Sequence, residues 1–170
     1  TDGGSSVINI AHEQVGTVDG EVVILAVPHP AVADVLATYG DQLTGKVVVD
    51  ITNPVNFETF DGLVVAAGSS FAADLAAKLP NSTVLKAFNT NFASTLASKK
   101  VGDAQTTVLI AGDDAAAKAS LASAIEAGGL SAIDAGSLKR AHELEAIGFL
   151  QITLAAGEKI SWTGGFAVVR

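Results

Sequence analysis

The 170-residue sequence has no cysteine and no methionine. Without cysteine there is no disulfide framework, no thiolate-bound zinc and no thiol nucleophile. Aromatic residues make up only 5%, so the interior has to be built from Ala, Val, Leu and Ile. Basic residues are scarce too: 10 Lys and Arg stand against 18 Asp and Glu, a net charge of -8. That is the wrong sign for a surface that neutralises nucleic-acid phosphates. No apolar run approaches the ~20 residues that span a bilayer, so no membrane partner is expected. No basic region followed by an apolar stretch opens residues 1–6. The expected location is the cytoplasm, where the sequon Asn81-Ser82-Thr83 carries no meaning. With no initiator Met, the first residue is expected to be a processed or cut start.

Hydrophobic residues reach 49% and charged ones only 16%. Such a chain buries enough apolar surface to offset its ordering entropy, which excludes disorder. Residues 22–27 (VVILAV) are apolar without alternation and rich in β-branched side chains, the pattern of a parallel strand buried on both faces. Pro28-His29-Pro30 stops it, and Pro30 suits a first helical position. Val32, Val35, Leu36 and Tyr39 then form a helical stripe. Residues 46–51 (KVVVDI) read as a second buried strand, broken by Thr52-Asn53-Pro54. Residues 63–66 read as a short extended piece.

Ser69 or Ser70 caps a helix carrying Phe71, Leu75 and Leu79, with Pro80 after its end. Residues 83–88 (TVLKAF) and 106–111 (TTVLIA) read as strands. Asp113 or Asp114 caps a helix bearing Ala117, Leu121, Ala124 and Ile125, closed by Gly128-Gly129. Residues 130–134 form the last strand of the series. Ser137 opens a final helix to about residue 157, and residues 160–169 read as a terminal strand or hairpin around Gly164-Gly165. Alternation of this kind predicts an α/β chain with a Rossmann-like doubly wound, mostly parallel sheet. Residues 1–136 are its body, and residues 137–170 are a C-terminal helix and hairpin packed upon it.

A dinucleotide site in such a sheet needs a glycine-rich turn that lets backbone N–H groups reach the pyrophosphate. No G-x-G-x-x-G occurs, and Gly3-Gly4, Gly128-Gly129 and Gly164-Gly165 read as turns. Residues 1–21 are too few for a strand–helix–strand unit of ~30 residues. An apolar strand at 22–27 left as an edge would invite aggregation. Either another chain covers this strand or residues stand upstream of the sequence; the expectation is the latter, a first strand, its glycine turn, a helix and a second strand.

Seven segments then stand in one order: ILAVPHPAV (24–32), KVVVDITNPVNF (46–57), VLKAFNT (84–90), TVLIAGDD (107–114), DAGSLKRAHELE (134–145), GFLQITLA (148–155) and SWTGGFAVV (161–169). Together they resemble the coenzyme F420-dependent NADP oxidoreductase family and its bacterial dinucleotide-binding relatives. The resemblance implies an oxidoreductase that moves a hydride between NADP (or NAD) and a deazaflavin, a flavin or another small redox acceptor. It also implies that Val27, Pro28, His29, Thr52, Asn53, Pro54, Ala87, Phe88 and Asn89 wall the ribose and nicotinamide side of the cleft. Hydride transfer needs two flat rings held close in a dry slot and no nucleophile, so the catalytic residues stay unassigned. The rival expectation is a cofactor-free binding module or a truncated, inactive homologue on the same scaffold, with enzyme activity tied to a glycine-rich loop upstream.

Within that frame several residues keep two readings. Asn53 and Asn89 either bond ribose or carboxamide or shape their own loops. Lys86 approaches a phosphate or substrate, or else it snorkels or pairs with Asp50. His29 stacks on the cofactor or faces solvent. Lys139, Arg140, Glu143 and Glu145 line a second substrate's pocket or form a solvated face. His12, His29 and His142 lack metal-like spacing, so no metal is expected. Residues 147–154 are apolar nearly all round, which predicts burial at a homodimer interface or beneath the terminal hairpin.

Overall fold

The structure, a computed structural model, describes residues 16–169. Seven strands are β1 (Val22–Leu25), β2 (Val47–Asp50), β3 (Thr83–Lys86), β4 (Lys100–Val101), β5 (Ala104–Gln105), β6 (Thr107–Gly112) and β7 (Ser131–Gly136). Five helices are α1 (Val32–Tyr39), α2 (Phe71–Lys78), α3 (Ala93–Ser98), α4 (Ala115–Ala127) and α5 (Ala141–Ala156). The main sheet runs β1-β2-β3-β6-β7. Its pairs are parallel except β3 with β6. The expected α/β, Rossmann-like, mostly parallel sheet is therefore present.

Side chains on successive strand residues point to opposite faces, and both faces are covered. Leu25, Val48 and Val84 pack with Val32, Val35 and Tyr39 of α1 and with Phe71 and Leu75 of α2. Val49, Leu85, Val108 and Ile110 pack with Ala117, Leu121 and Ile125 of α4 on the other side. Each Val, Leu, Ile or Phe side chain so removed from water is worth about 1.5–3 kcal/mol. Helix starts follow the sequence. The Ser70 hydroxyl accepts the Ala73 N–H at 3.1 Å, and the Asp114 carboxylate accepts the Ala117 N–H at 2.8 Å.

Four expectations need correction. Residues 22–27 were expected to be buried on both faces, but β1 is the outer strand among the described residues. Val22 and Ile24 are 42% and 49% exposed, because no strand is described on that side. Residues 63–66 give no strand, only a single bridge between Val55 and Leu63. Residues 160–169 form no strand or hairpin. Their backbone groups bond locally and to side chains: the Phe166 N–H donates to Gln151 Oε1 at 3.0 Å, and the Gly164 N–H to the Ser161 carbonyl. The fourth correction concerns Glu145, described below.

The sequence pattern also left out α3 and the β4–β5 hairpin. They reverse the chain, so that β6 enters antiparallel to β3. Only Leu85 and Lys86 of β3 pair with β6, opposite Gly112 and Ala111. Residues 107–110 of β6 therefore run on past the end of β3, by about 13 Å at ~3.4 Å per residue. This overhang turns the flat C-terminal edge of β1–β3 into a step with a wall.

Candidate functional site

Because β1, β2 and β3 are parallel, their C-terminal ends share one edge, and the register aligns Leu25, Asp50 and Lys86 in a row. The loops leaving these strands carry Val27-Pro28-His29, Thr52-Asn53-Pro54 and Ala87-Phe88-Asn89. The structure thus brings all nine predicted residues to one rim. Gly3-Gly4 and His12 lie outside the described residues.

Beneath the rim sits a charged cluster with no exposure to solvent. Lys86 Nζ lies 2.7 Å from Asp50 Oδ2 and 3.0 Å from Glu145 Oε1, all three side chains being 0% exposed. Its third proton goes to the Thr52 carbonyl at 2.7 Å. An ammonium has three donors, and all are used. Lys86 therefore neither snorkels nor reaches a ligand; it joins the Asp50 strand end to α5. Asp50 Oδ1 accepts the Thr52 N–H at 2.9 Å. Glu145 accepts the N–H groups of Phe71 at 2.9 Å and Ala72 at 3.2 Å, at the positive end of α2.

Glu145 is the residue that sequence reasoning placed wrongly. Of the four charged residues around the start of α5, Lys139, Arg140 and Glu143 are exposed, and Arg140 pairs with Glu143 at 2.9 Å. Glu145 instead is fully buried. The available signal was spacing: Glu145 shares a stripe with the buried Ala141, Leu144, Gly148, Gln151 and Ala155, which recur at three and four residues.

The two rim asparagines face each other. Asn53 Nδ2 donates to the Asn89 carbonyl at 2.8 Å, and Asn89 Nδ2 donates to Asn53 Oδ1 at 2.9 Å and to the Leu144 carbonyl of α5 at 2.8 Å. Helix α5 lies against this pair at Gly148. A Cβ there would collide with Asn53 Oδ1 and fall 3.0 Å from Asn89 Nδ2. Phe88 holds φ at +63°, a left-handed conformation that costs a bulky residue of order 1–3 kcal/mol and concentrates at functional rims. The turn is tied by the Asn91 N–H to the Phe88 carbonyl at 3.0 Å.

Two buried polar atoms of the rim loops have no hydrogen-bond partner among the described residues: Thr52 Oγ1 on the β2 loop and Asn89 Oδ1 on the β3 loop. Asn91 Oδ1 is a third, beside the wall, where Asn91 Nδ2 donates to the Thr107 carbonyl at 3.1 Å. Buried polar atoms are nearly always satisfied, so each exception calls for a partner. His29 stands edge-on to Phe71 with ring centroids 4.3 Å apart. Burial holds its imidazole below the ordinary pKa, against the opposing pull of the Asp50 and Glu145 carboxylates. His142 Nδ1 lies 2.9 Å from the Ser69 carbonyl. Shallow clefts of about 290 and 370 Å³ lie at the opposite edge of the sheet, lined by residues such as Asp41 and Pro80 or Thr83 and Asp114. No group of three or more metal-ligating side chains occurs among the described residues. No helix there is long and apolar enough to cross a membrane.

A mostly parallel sheet with its loops gathered at the carboxyl edge is a Rossmann-like α/β fold, the architecture that binds ligands at that edge. Residues 3–54 match the model of the family described as NADP oxidoreductase, coenzyme F420-dependent. Metalloreductase STEAP3 of Rattus norvegicus is 40% identical over 113 residues, which are 66% of this chain and 22% of that protein. Among solved structures, a candidate F420-dependent NADP-reductase from Arthrobacter sp. FB24 superposes with a TM-score of 0.75 at 28% identity, covering 88% of this chain and 69% of that one. The hypothetical protein SMa0349 from Sinorhizobium meliloti gives 0.63 at 30% identity, covering 71% and 58%. Over residues 3–54 the chain is similar to the F420-dependent NADP oxidoreductase family, and it spans about a fifth of the curated relative's length.

Proposed function

We propose that the chain forms the nicotinamide half of an NADP-dependent oxidoreductase, which passes a hydride between NADP and a flat deazaflavin- or flavin-like acceptor. The observation that carries this reading is the pair of buried, unpartnered atoms Thr52 Oγ1 and Asn89 Oδ1 on adjacent strand ends. A hydroxyl and an amide carbonyl suit ribose hydroxyls and the nicotinamide carboxamide. Pro28 and Pro54 stiffen the loops on either side. Phe88 packs into the core cluster of Val49, Leu85 and Ile110 and so anchors the β3 loop. When bound, the cofactor supplies the hydride at nicotinamide C4, so this chain's residues bind and orient the ring. That division of labour is sufficient for a reaction without a nucleophile. The described residues fit the ribose and nicotinamide portion and include no glycine-rich turn for the pyrophosphate.

The second reading is a cofactor-free binding module on the same scaffold. Titration of the protein with NADPH, followed by nicotinamide fluorescence, separates the two. The oxidoreductase reading expects saturable enhancement that Thr52→Val weakens. A well-folded chain with no saturable change overturns it. Turnover of NADPH at 340 nm with deazaflavin, flavin or a ferric chelate then identifies the acceptor, the chelate being included because one relative is a metalloreductase.

A further inference from the structure

We infer that Glu145 is a positioning residue for the rim: its carboxylate, seated between the Lys86 ammonium and the first amides of α2, holds α5 where Leu144 and Gly148 fix the Asn53–Asn89 pair. The inference rests on the rim proposed above as the cofactor's wall.

The receptor for this carboxylate is built by two other elements. Lys86 of β3 offers its ammonium at 3.0 Å, and α2 offers two N–H groups at 2.9 and 3.2 Å. Burying a carboxylate is costly before its partners compensate, and an apolar side chain of similar size would stabilise a plain helix contact at least as well. What a carboxylate adds is direction. Three charge-assisted contacts from two elements define one point in space, and α5 is pinned there.

The consequences lie within one turn. Leu144, the preceding residue, gives its carbonyl to Asn89 Nδ2 at 2.8 Å. Gly148, on the same helical face, brings the helix so near that the Asn53 side chain occupies the space of a Cβ. Asn89 Oδ1, one of the two unpartnered rim atoms, belongs to the amide held in this way. A slide of α5 by a fraction of an ångström would break the Leu144 contact and turn that amide.

The test compares wild type, Glu145→Ala and Glu145→Asp by NMR of the Asn53 and Asn89 side-chain amides, with and without added acetate. In wild type the Asn89 amide is protected from solvent. In Glu145→Ala both amides shift, and Asn89 protection falls by roughly tenfold or more, while backbone amides around Ile110 and Leu121 hold. Acetate, filling the vacated carboxylate position, restores the wild-type signals. Where NADPH binds, its Kd rises about tenfold in Glu145→Ala and recovers with acetate. Rim amides unchanged in a folded Glu145→Ala, or changed but not recovered by acetate, overturn the inference. If that variant does not fold, Glu145→Asp decides: its carboxylate, drawn back by one methylene, is expected to shift the same two amides, and no shift overturns the inference. Absence of NADPH binding in wild type overturns the oxidoreductase reading and leaves the amide test to decide the positioning role alone.

Discussion

Two lysines of this chain meet an aspartate at almost the same distance, 2.7 Å for Lys86 with Asp50 and 2.8 Å for Lys118 with Asp134. The first pair is sealed beneath the rim with Glu145. The second lies at the far end of the sheet, joining α4 to β7, with Asp134 59% exposed. Water reaches Asp134, and Lys118 also holds the Gly136 carbonyl at 3.1 Å, so this contact adds little. The Lys86 cluster has no exposure to solvent. Asp50 and Glu145 would be left as buried charges with a single counterion removed. Equal geometry thus carries unequal consequences, and burial decides which pair governs the fold.

The largest effect is expected from Lys86→Met. Urea unfolding should show a loss of about 3–5 kcal/mol, the usual result of breaking a buried ionic cluster from one side. A loss below ~1 kcal/mol would mean the cluster is wetter than its geometry implies. Gly148→Ala comes next, and its sign is informative. An exposed helical glycine gains about 1 kcal/mol on becoming alanine. Here the new Cβ meets Asn53, so a net loss of about 1–3 kcal/mol is expected from overpacking. Stabilisation would show that α5 stands clear of the asparagine pair.

Lys118→Met should cost no more than ~1 kcal/mol. Its pH signature is clearer than its size. The Lys118 hydrogen bond, and then the Gly136 N–H, hold the Asp134 carboxyl below the ordinary carboxylate range. That contribution is present above the unfolded-state value of ~3.9 and is lost as pH falls through the lowered folded-state value. The variant should therefore lose less stability on acidification than wild type in that window, as read from Tm against pH.

The smallest expected effect is at His29. Its folded pKa is depressed by burial, so its contribution is present above the unfolded value of ~6.5 and lost as pH falls through the folded one. His29→Gln should flatten the decline in Tm between about pH 7 and 5. An unchanged slope would indicate that the imidazole is solvated despite its contact with Phe71.

Much of the rim-bearing half was legible in the chain. Continuous β-branched runs marked β1, β2 and β3, and Ser70 and Asp114 announced their helices by capping chemistry. The strand-end tripeptides were readable as one rim because parallel strands end on one side. What was not legible involved partners distant in sequence. Glu145 looked like part of a charged helix start, since its receptor lies 73 and 74 residues away on α2. The antiparallel entry of β6 was equally hidden. Helix α3 and the two-residue strands β4 and β5 are too short for periodicity to register.

By itself, the sequence determined the alternating elements, the apolar composition of both sheet faces and the nature of the side chains at the strand ends. These follow from local rules: side-chain period, backbone propensity and capping. Only the tertiary structure decided which charges would be buried together, where α5 would rest, and which rim atoms would lack a partner. Burial and contact between segments far apart in the chain are properties of the assembled fold, where the low local dielectric gives a displaced charge or a single extra methyl its large effect.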